Sequence, residues 1–473
     1  MLAFSSEGSL DYEKVLGLTP GTHTALAGFE WRDAPPMLVP TANPAVVALS
    51  DGNILVIGGM TASGPTAATE IYDVKAGAWK LGPTMTTKRV GHTASLLKDG
   101  TVLVTGGDTG SGATSSAELI NAGLTASNPL PNMYFARSGH AAVLLNSGNV
   151  LVTGGTDWTK GIWKEAEFYN QQTHSWSPAG SMSVPRLFFA MVLLPDGTAL
   201  AVGGDANQSS ETYNATTNSW SHVSKMVSLR SYSSVAFVGG KVLAAGGMVG
   251  NSAINTTELY DPATNSWKAA GSMSAARARF ALAPLPDGGL LAAGSQTPSG
   301  TTSSGEVFDP ATASWYGSQP MNVSRGSQGC AVSQDGSVFE IGGRSGSSIT
   351  GSVEVFSKAK APPVKKPLQP IDLVPLVRAA TELPGGSADG LIAKLEAAQA
   401  HYDKGENGTC INVMNAFYNQ VRAFARNGHM DVEHASAIYD AYAEVVSGLG
   451  GQPLPDFTKL KLETLMEFVV FRT

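Results

Sequence analysis

Short apolar runs alternate with glycine-rich breaks through most of this chain. The runs ILVIGG, VLVTGG, VLVTGG, ALAVGG and VLAAGG each climb through apolar residues and stop at a glycine pair. Runs this short, bounded by glycine, read as buried strands rather than helices. The pairs are Gly58-Gly59, Gly106-Gly107, Gly154-Gly155, Gly203-Gly204, Gly246-Gly247 and Gly342-Gly343, with Gly294-Ser295 as a degenerate copy. Their first members are spaced 48, 48, 49, 43, 48 and 48 residues apart. Seven copies at that period predict a mainly β fold, a seven-bladed β-propeller with four short strands per blade.

Each unit carries the same polar punctuation. Strand a follows the arginine of a Met-x-x-x-Arg run, and strand b ends in the glycine pair. Strand c carries Glu-apolar-Tyr, and strand d begins at a tryptophan. The fifth unit shows all of it: Met226, Arg230, Gly246-Gly247, Glu258-Leu259-Tyr260-Asp261 and Trp267. Asp51-Gly52, Asp99-Gly100, Asp196-Gly197, Asp287-Gly288 and Asp335-Gly336 supply the a–b hairpin turns, which need positive φ. Two units are irregular. The second lacks the tryptophan and has 121–133 as a substitute. The seventh has Glu354-Val355-Phe356 and no tryptophan after it. An orphan Trp31 stands six residues before Met37, the same spacing as Trp79 to Met85. The N-terminal segment is therefore expected to supply the missing strand d and to close the ring, which removes its exposed edges.

The Gly-Gly, Glu-x-Tyr-Asp and Trp-x5-Met pattern resembles the kelch repeat over residues 23–358. Its DGxVLVxGG flavour is similar to the bacterial branch that includes galactose oxidase-like propellers. That resemblance implies a fold. It does not imply the copper chemistry, which needs a tyrosine crosslinked to cysteine; the propeller's one cysteine is Cys330, in a strand a, and no Tyr-His dipeptide occurs. No cofactor and no metal are expected.

After a Pro/Lys linker the pattern turns helical. Cys410, Met414, Phe417, Val421 and Phe424 fall at spacings of four and three, one buried face of a helix. Ile438, Tyr442, Val445 and Leu449 repeat the pattern in a later helix, with Asp431 as its cap. The expected organisation is an N-terminal extension 1–22, propeller 23–357, linker 358–370, helical bundle 371–449 and tail 450–473. The stretch GLIAKLEAAQAHYDKGENGTCINVMNAFYNQVRAF resembles the small FIMAH-type helical module of bacterial extracellular proteins. This resemblance implies attachment or interaction, and an extracellular or cell-surface location. No signal peptide is legible in residues 1–14, so a cytoplasmic or a processed chain also fits.

Charge narrows the partners. The net charge is −7 and only 15% of residues are charged, which argues against nucleic acid as the main ligand. No apolar run is long enough for a membrane span. Two cysteines make no disulfide framework and read as buried thiols. Nothing in the pattern fixes an oligomeric state.

The repeat also sorts the candidate chemistry. Glutamate recurs in all seven units and arginine in six, and a site needs one copy of a residue, so the glutamates read as architecture. Two arrangements fit the arginines. They pair with the glutamates, or they form a positive funnel where the d–a and b–c loops share a face. The second makes Arg137, Arg186 and Arg230 binding residues, with Arg344 just past the last glycine pair. The b–c loop of blade three breaks the pattern with Trp158, Lys160 and Trp163. These offer a stacking surface for a sugar or an anchor for a partner, or else the tryptophans fold back onto the blade. Phe189 stands beside the short blade-four loop 205–210. His92 and His140, three residues past their arginines, stand at the channel mouth on adjacent blades, without a third ligand for a metal. The leading expectation is a secreted or surface binding or scaffold protein that takes an acidic peptide or glycan on the d–a/b–c face. A carbohydrate-active enzyme at the channel mouth (lyase, isomerase or oxidase) is the alternative. A third role is a structural subunit that uses the apolar tail 459–473.

Overall fold

The structure, a computed structural model, describes residues 29–358 and, apart from short gaps around 380–385 and 428–431, residues 369–453. The chain divides into two compact units, Met1–Ala359 and Lys360–Thr473. The expected extension 1–22, the linker positions 359–368 and the tail 459–473 lie outside the described residues.

The first unit is built of seven antiparallel four-stranded sheets. Blade one is typical, with strands a to d at Ala45–Ala48, Ile54–Ile57, Thr69–Asp73 and Ala78–Leu81. Each strand a packs against the strand a of the next blade. The circuit closes from Gly329–Val332 of blade seven to Ala45–Ala48 of blade one. Strand b is buried along its whole length in blades one to four. Blades cover it on both faces, so the sequence there is continuously apolar instead of alternating.

The ring closes as the orphan tryptophan predicted. Phe29–Ala34 pairs with Val353–Lys358 as the outer strand of blade seven, with Trp31 opposite Phe356. Their ring centroids are 5.0 Å apart, matching Tyr72–Trp79 at 5.0 Å and Tyr260–Trp267 at 5.2 Å. In blade two, Ser127–Leu130 takes the strand d place without a tryptophan.

The glycine pairs work between blades. The second member donates its N–H to the backbone carbonyl at the arginine position of the next blade: Gly59 to Arg89 at 2.8 Å, Gly107 to Arg137 at 2.8 Å, Gly343 to Thr41 at 2.8 Å. At Gly107, φ is +99° and a Cβ would lie 2.9 Å from the Cβ of His92. Only glycine allows that approach. The degenerate copy keeps the bond, Ser295 to Arg325 at 2.8 Å, and its hydroxyl also engages the Ala278 backbone.

The second unit is a small helical cluster, with helices α1 Val374–Ala379, α2 Ser387–Asp403, α3 Asn407–Arg426 and α4 Val432–Gly448. Cys410, Met414, Phe417 and Val421 of α3 are buried, as are Ile438, Tyr442 and Val445 of α4, while Phe424 and Leu449 are partly buried. Asp431, the expected cap, lies outside the described residues. Among the described residues no helix is long and apolar enough to cross a membrane.

Candidate binding face

The six arginines begin their blades at the same point and meet the same partner. Arg89–Glu118 is 2.9 Å, Arg137–Glu167 2.8 Å, Arg186–Glu211 2.8 Å, Arg230–Glu258 2.5 Å, Arg277–Glu306 2.8 Å and Arg325–Glu354 2.6 Å. The guanidinium also donates to carbonyls. Arg137 Nη1 reaches the carbonyl of Gly154 at 2.6 Å and that of Glu165 at 3.2 Å. The carboxylate in turn accepts backbone N–H groups from the d–a loop, such as Thr86 and Thr87 on Glu118 at 2.7 and 3.0 Å. Burial pushes the Glu118, Glu211 and Glu306 carboxyls up, but the backbone donors and the arginine outweigh it and hold them below the ordinary range. The arginine side chains are fully buried. Arg137, Arg186 and Arg230 are therefore not ligand-facing, contrary to the funnel expectation. A buried charge must be paired and hydrogen-bonded, and in each of these six blades a glutamate and backbone carbonyls take the guanidinium's terminal N–H groups.

His92 and His140 likewise lie inside the blades and not at the channel mouth. His92 is buried and its Nε2–H donates to the carbonyl of Ile57 at 3.1 Å. Burial, and then the charge of Arg89, press its pKa down to about 3. His140 is buried with Nε2 3.1 Å from the hydroxyls of both Thr93 and Thr105, and burial holds it well below the ordinary range. Among the described residues no group of three or more His, Cys, Asp or Glu is placed to hold a metal ion. Phe189 is also interior, packed with Ala141, Met182 and Ala201.

The blade-three loop splits its two tryptophans. Trp163 packs on Phe135 at 5.0 Å and bonds the carbonyl of Ala136 at 2.9 Å, so it folds back on its own blade. Trp158 stays 52% exposed at the tip of a hairpin, its indole N–H 2.8 Å from a carboxylate oxygen of Asp108 in the blade-two loop. Lys160 is 68% exposed and 3.5 Å from Asp157. Arg344, half-buried, starts the corresponding hairpin of blade seven. Blade four has no such hairpin. Its short loop is flanked by Thr156–Ile162 of blade three, with Ile162 exposed, and by the blade-five hairpin carrying exposed Val249.

At the mouth of the channel lies a ring that the sequence analysis did not single out. It consists of the residues two past each arginine position: Asn43, Gly91, Gly139, Phe188, Tyr232, Arg279 and Ser327. All seven are left-handed, with φ between 48° and 66°. Backbone bonds run around the ring from a blade to the one before it at six of the seven positions, as in Tyr232 N–H to Phe188 O at 2.8 Å and Ser327 N–H to Arg279 O at 2.7 Å. Glycine and asparagine suit that conformation. Phe, Tyr and Arg do not, at a cost of about 1–3 kcal/mol each. These three stand side by side and stack. The Phe188 and Tyr232 rings are 4.2 Å apart at 20°, and the Arg279 guanidinium lies 4.1 Å over Tyr232. Each is half-buried, and no described carboxylate lies within ion-pair distance of Arg279. The other side of the ring, at Gly91 and Gly139, has no side chains. A Cβ on Gly139 would sit 2.7 Å from the Phe188 ring, so that ring lies on bare backbone. The sequence signal was present one position before the column holding His92, His140 and Phe189: a column of turn-forming residues interrupted by three bulky ones.

Comparison with known proteins bears on the architecture. The kelch motif matches residues 42–86 and 229–274. The F-box protein AFR of Arabidopsis thaliana is 50% identical over 48 residues, a stretch that is 10% of this chain and 13% of that protein. Among solved structures, a fungal alcohol oxidase of the AA5 family in complex with copper superposes with a TM-score of 0.58, over 69% of this chain and 76% of its own, at 18% identity. That likeness is one of fold. The first unit of this chain is thus a seven-bladed β-propeller that carries kelch motifs in two stretches.

Proposed function

We propose that this propeller is a binding or scaffold module whose d–a/b–c face takes an acidic peptide or carboxylated glycan. The observation that carries the reading is Arg279, a half-buried guanidinium without a carboxylate partner, stacked on Tyr232 and Phe188 in a strained backbone at the axis. The six arginines that begin blades two to seven are neutralised by their own glutamates. This one is left for an outside anion, which it meets with planar, bidentate donors. Aromatic faces beside it suit a sugar ring or a peptide side chain. Trp158 and Lys160, on the tall hairpin next to the low blade-four loop, extend the surface outward.

The helical unit is assigned attachment or interaction, and the protein an extracellular or cell-surface location. The enzyme alternative has the fold likeness behind it, but the histidines once placed at the mouth are occupied inside the blades. Screening peptide and carboxylated-glycan arrays tests the reading. A ligand found there is expected to bind at least tenfold more weakly to Arg279→Ala, with a shallower salt dependence, and also to Tyr232→Ala. Unchanged affinity in both variants overturns the site.

A further inference from the structure

Blade one lacks the arginine, yet it keeps everything that holds an arginine elsewhere. Its arginine position is Thr41, as shown by the same inter-blade bond from the glycine pair, Gly343 N–H to Thr41 O at 2.8 Å. The glutamate of its strand c, Glu70, accepts the backbone N–H groups of Leu38 and Val39 at 2.7 and 2.8 Å. Val227 and Ser228 serve Glu258 in the same way, at 2.6 and 3.0 Å. The Gly58 N–H meets the carbonyl of Ala68 at 2.9 Å, the counterpart of Gly106 and Ser116 at 3.1 Å. In blade two the guanidinium of Arg89 is held by the carbonyls of Gly106 and Ser116, at 2.7 and 2.8 Å, and by Glu118 at 2.9 Å. The matching acceptors in blade one are the carbonyls of Gly58 and Ala68 and the Glu70 carboxylate.

Two further observations mark the place where the guanidinium is missing. Thr41 is 2% exposed and its Oγ1 has no hydrogen-bond partner. Glu70 is 2% exposed, and no described lysine or arginine lies within ion-pair distance of it. Burial, opposed only by the two backbone donors, holds its carboxyl above the ordinary range, whereas the arginine-paired Glu118, Glu211 and Glu306 are held below it. The six other blades act as internal controls for what this cradle is shaped to hold.

We propose that blade one binds a monovalent metal cation, sodium or potassium, between Glu70, the carbonyls of Gly58 and Ala68, and the hydroxyl of Thr41. The donors are hard oxygens, which select alkali and alkaline-earth ions over transition metals. A single carboxylate matches a single positive charge, and the group it replaces is itself monovalent; calcium sites generally draw on more carboxylates. The cation pairs a carboxylate that is otherwise buried alone.

The test uses the full chain. Thermal unfolding is followed in potassium or sodium chloride and in tetramethylammonium chloride of equal ionic strength, whose cation is too large to enter. The midpoint is expected to be a few degrees higher in one of the metal salts. Thr41→Arg restores the guanidinium and is expected to abolish that difference, as is Glu70→Gln, which removes the charge. Equal midpoints in all three salts for the unmodified chain overturn the proposal, as does an ion-specific difference that survives Glu70→Gln. Crystals grown with rubidium are expected to show an anomalous peak beside Glu70, and ordinary water at that position overturns the proposal.

Discussion

The arginine–glutamate belt and the ring at the channel mouth are built on the same repeat, two residues apart, and they use it in opposite ways. In the belt the side chains are constant: six buried guanidiniums each find the same carboxylate and the same carbonyls. At the mouth the backbone is constant and the side chains differ. All seven positions are left-handed, yet they carry Asn, Gly, Gly, Phe, Tyr, Arg and Ser. The belt satisfies its charges internally, so its repetition is architectural. The mouth imposes a conformation that three of its residues resist, and strain of that kind persists where surrounding structure over-determines it, often at ligand sites.

Breaking the belt should have the largest effect. Arg137→Ala leaves Glu167 buried without its partner and is expected to cost about 3–5 kcal/mol of stability, read from urea unfolding. If the loss is below about 1 kcal/mol, the belt does not hold the blades. Next is Glu340, a departure from the repeat within blade seven. It stands at a strand b position that reads Val56, Val104, Val152, Ala201, Ala244 and Ala292 in the other blades, opposite Cys330. It is fully buried, and burial raises its pKa from 4.5 to about 8, against the opposing charge of Arg325 and the neighbouring Gln328 and Cys330 side chains. The folded state binds the proton more tightly than the unfolded one. The stability this contributes is therefore full below pH 4.5 and is lost as pH rises through about 8. Glu340→Gln is expected to match the unmodified chain at pH 4 and to melt higher at pH 9. A gap that does not widen with pH contradicts this placement.

The mouth should respond differently. Tyr232→Gly relieves a left-handed tyrosine, worth about 1–3 kcal/mol, and loses a ring stack worth about 0.5–1.5 kcal/mol. These nearly offset, so stability should change little or rise slightly while affinity for a ligand of the face falls at least tenfold. A large loss of stability makes the stack a structural plug, and the contrast with the belt disappears. The smallest effect belongs to Trp158→Ala. Its exposed ring should leave the urea midpoint within about 0.5 kcal/mol of the unmodified chain, with any change confined to binding.

Much of this was legible in the residues because a repeat is its own alignment. The Gly-Gly period counts the blades. The spacing from Trp31 to Met37 announced that the first strand completes the last blade, since the same spacing recurs wherever a strand d runs into a d–a loop. The glutamates were readable as architecture from number alone. The arginines were not, because sequence shows that a charge recurs and not where its side chain points. His92, His140 and Phe189 were misplaced by a single position. They follow the ring residue on strand a and turn into the blade, while the residue before them faces the axis. Period-two alternation makes that shift decisive. Trp158 and Trp163, five residues apart in one loop, part company because Phe135 offers a ring to one of them and nothing comparable covers the other.

The sequence by itself determined the number of blades, the order of their strands, the closure of the ring and the helical character of the second unit. These depend on local spacing and on which residues tolerate a turn. The tertiary structure alone decided which charges are neutralised inside and which are left to the outside. That depends on partners roughly 25 to 30 residues away within a blade, and on neighbours contributed by the next blade. It turned six arginines into struts, left Arg279 stacked and without a carboxylate at the axis, and left Glu70 in a cradle without its guanidinium.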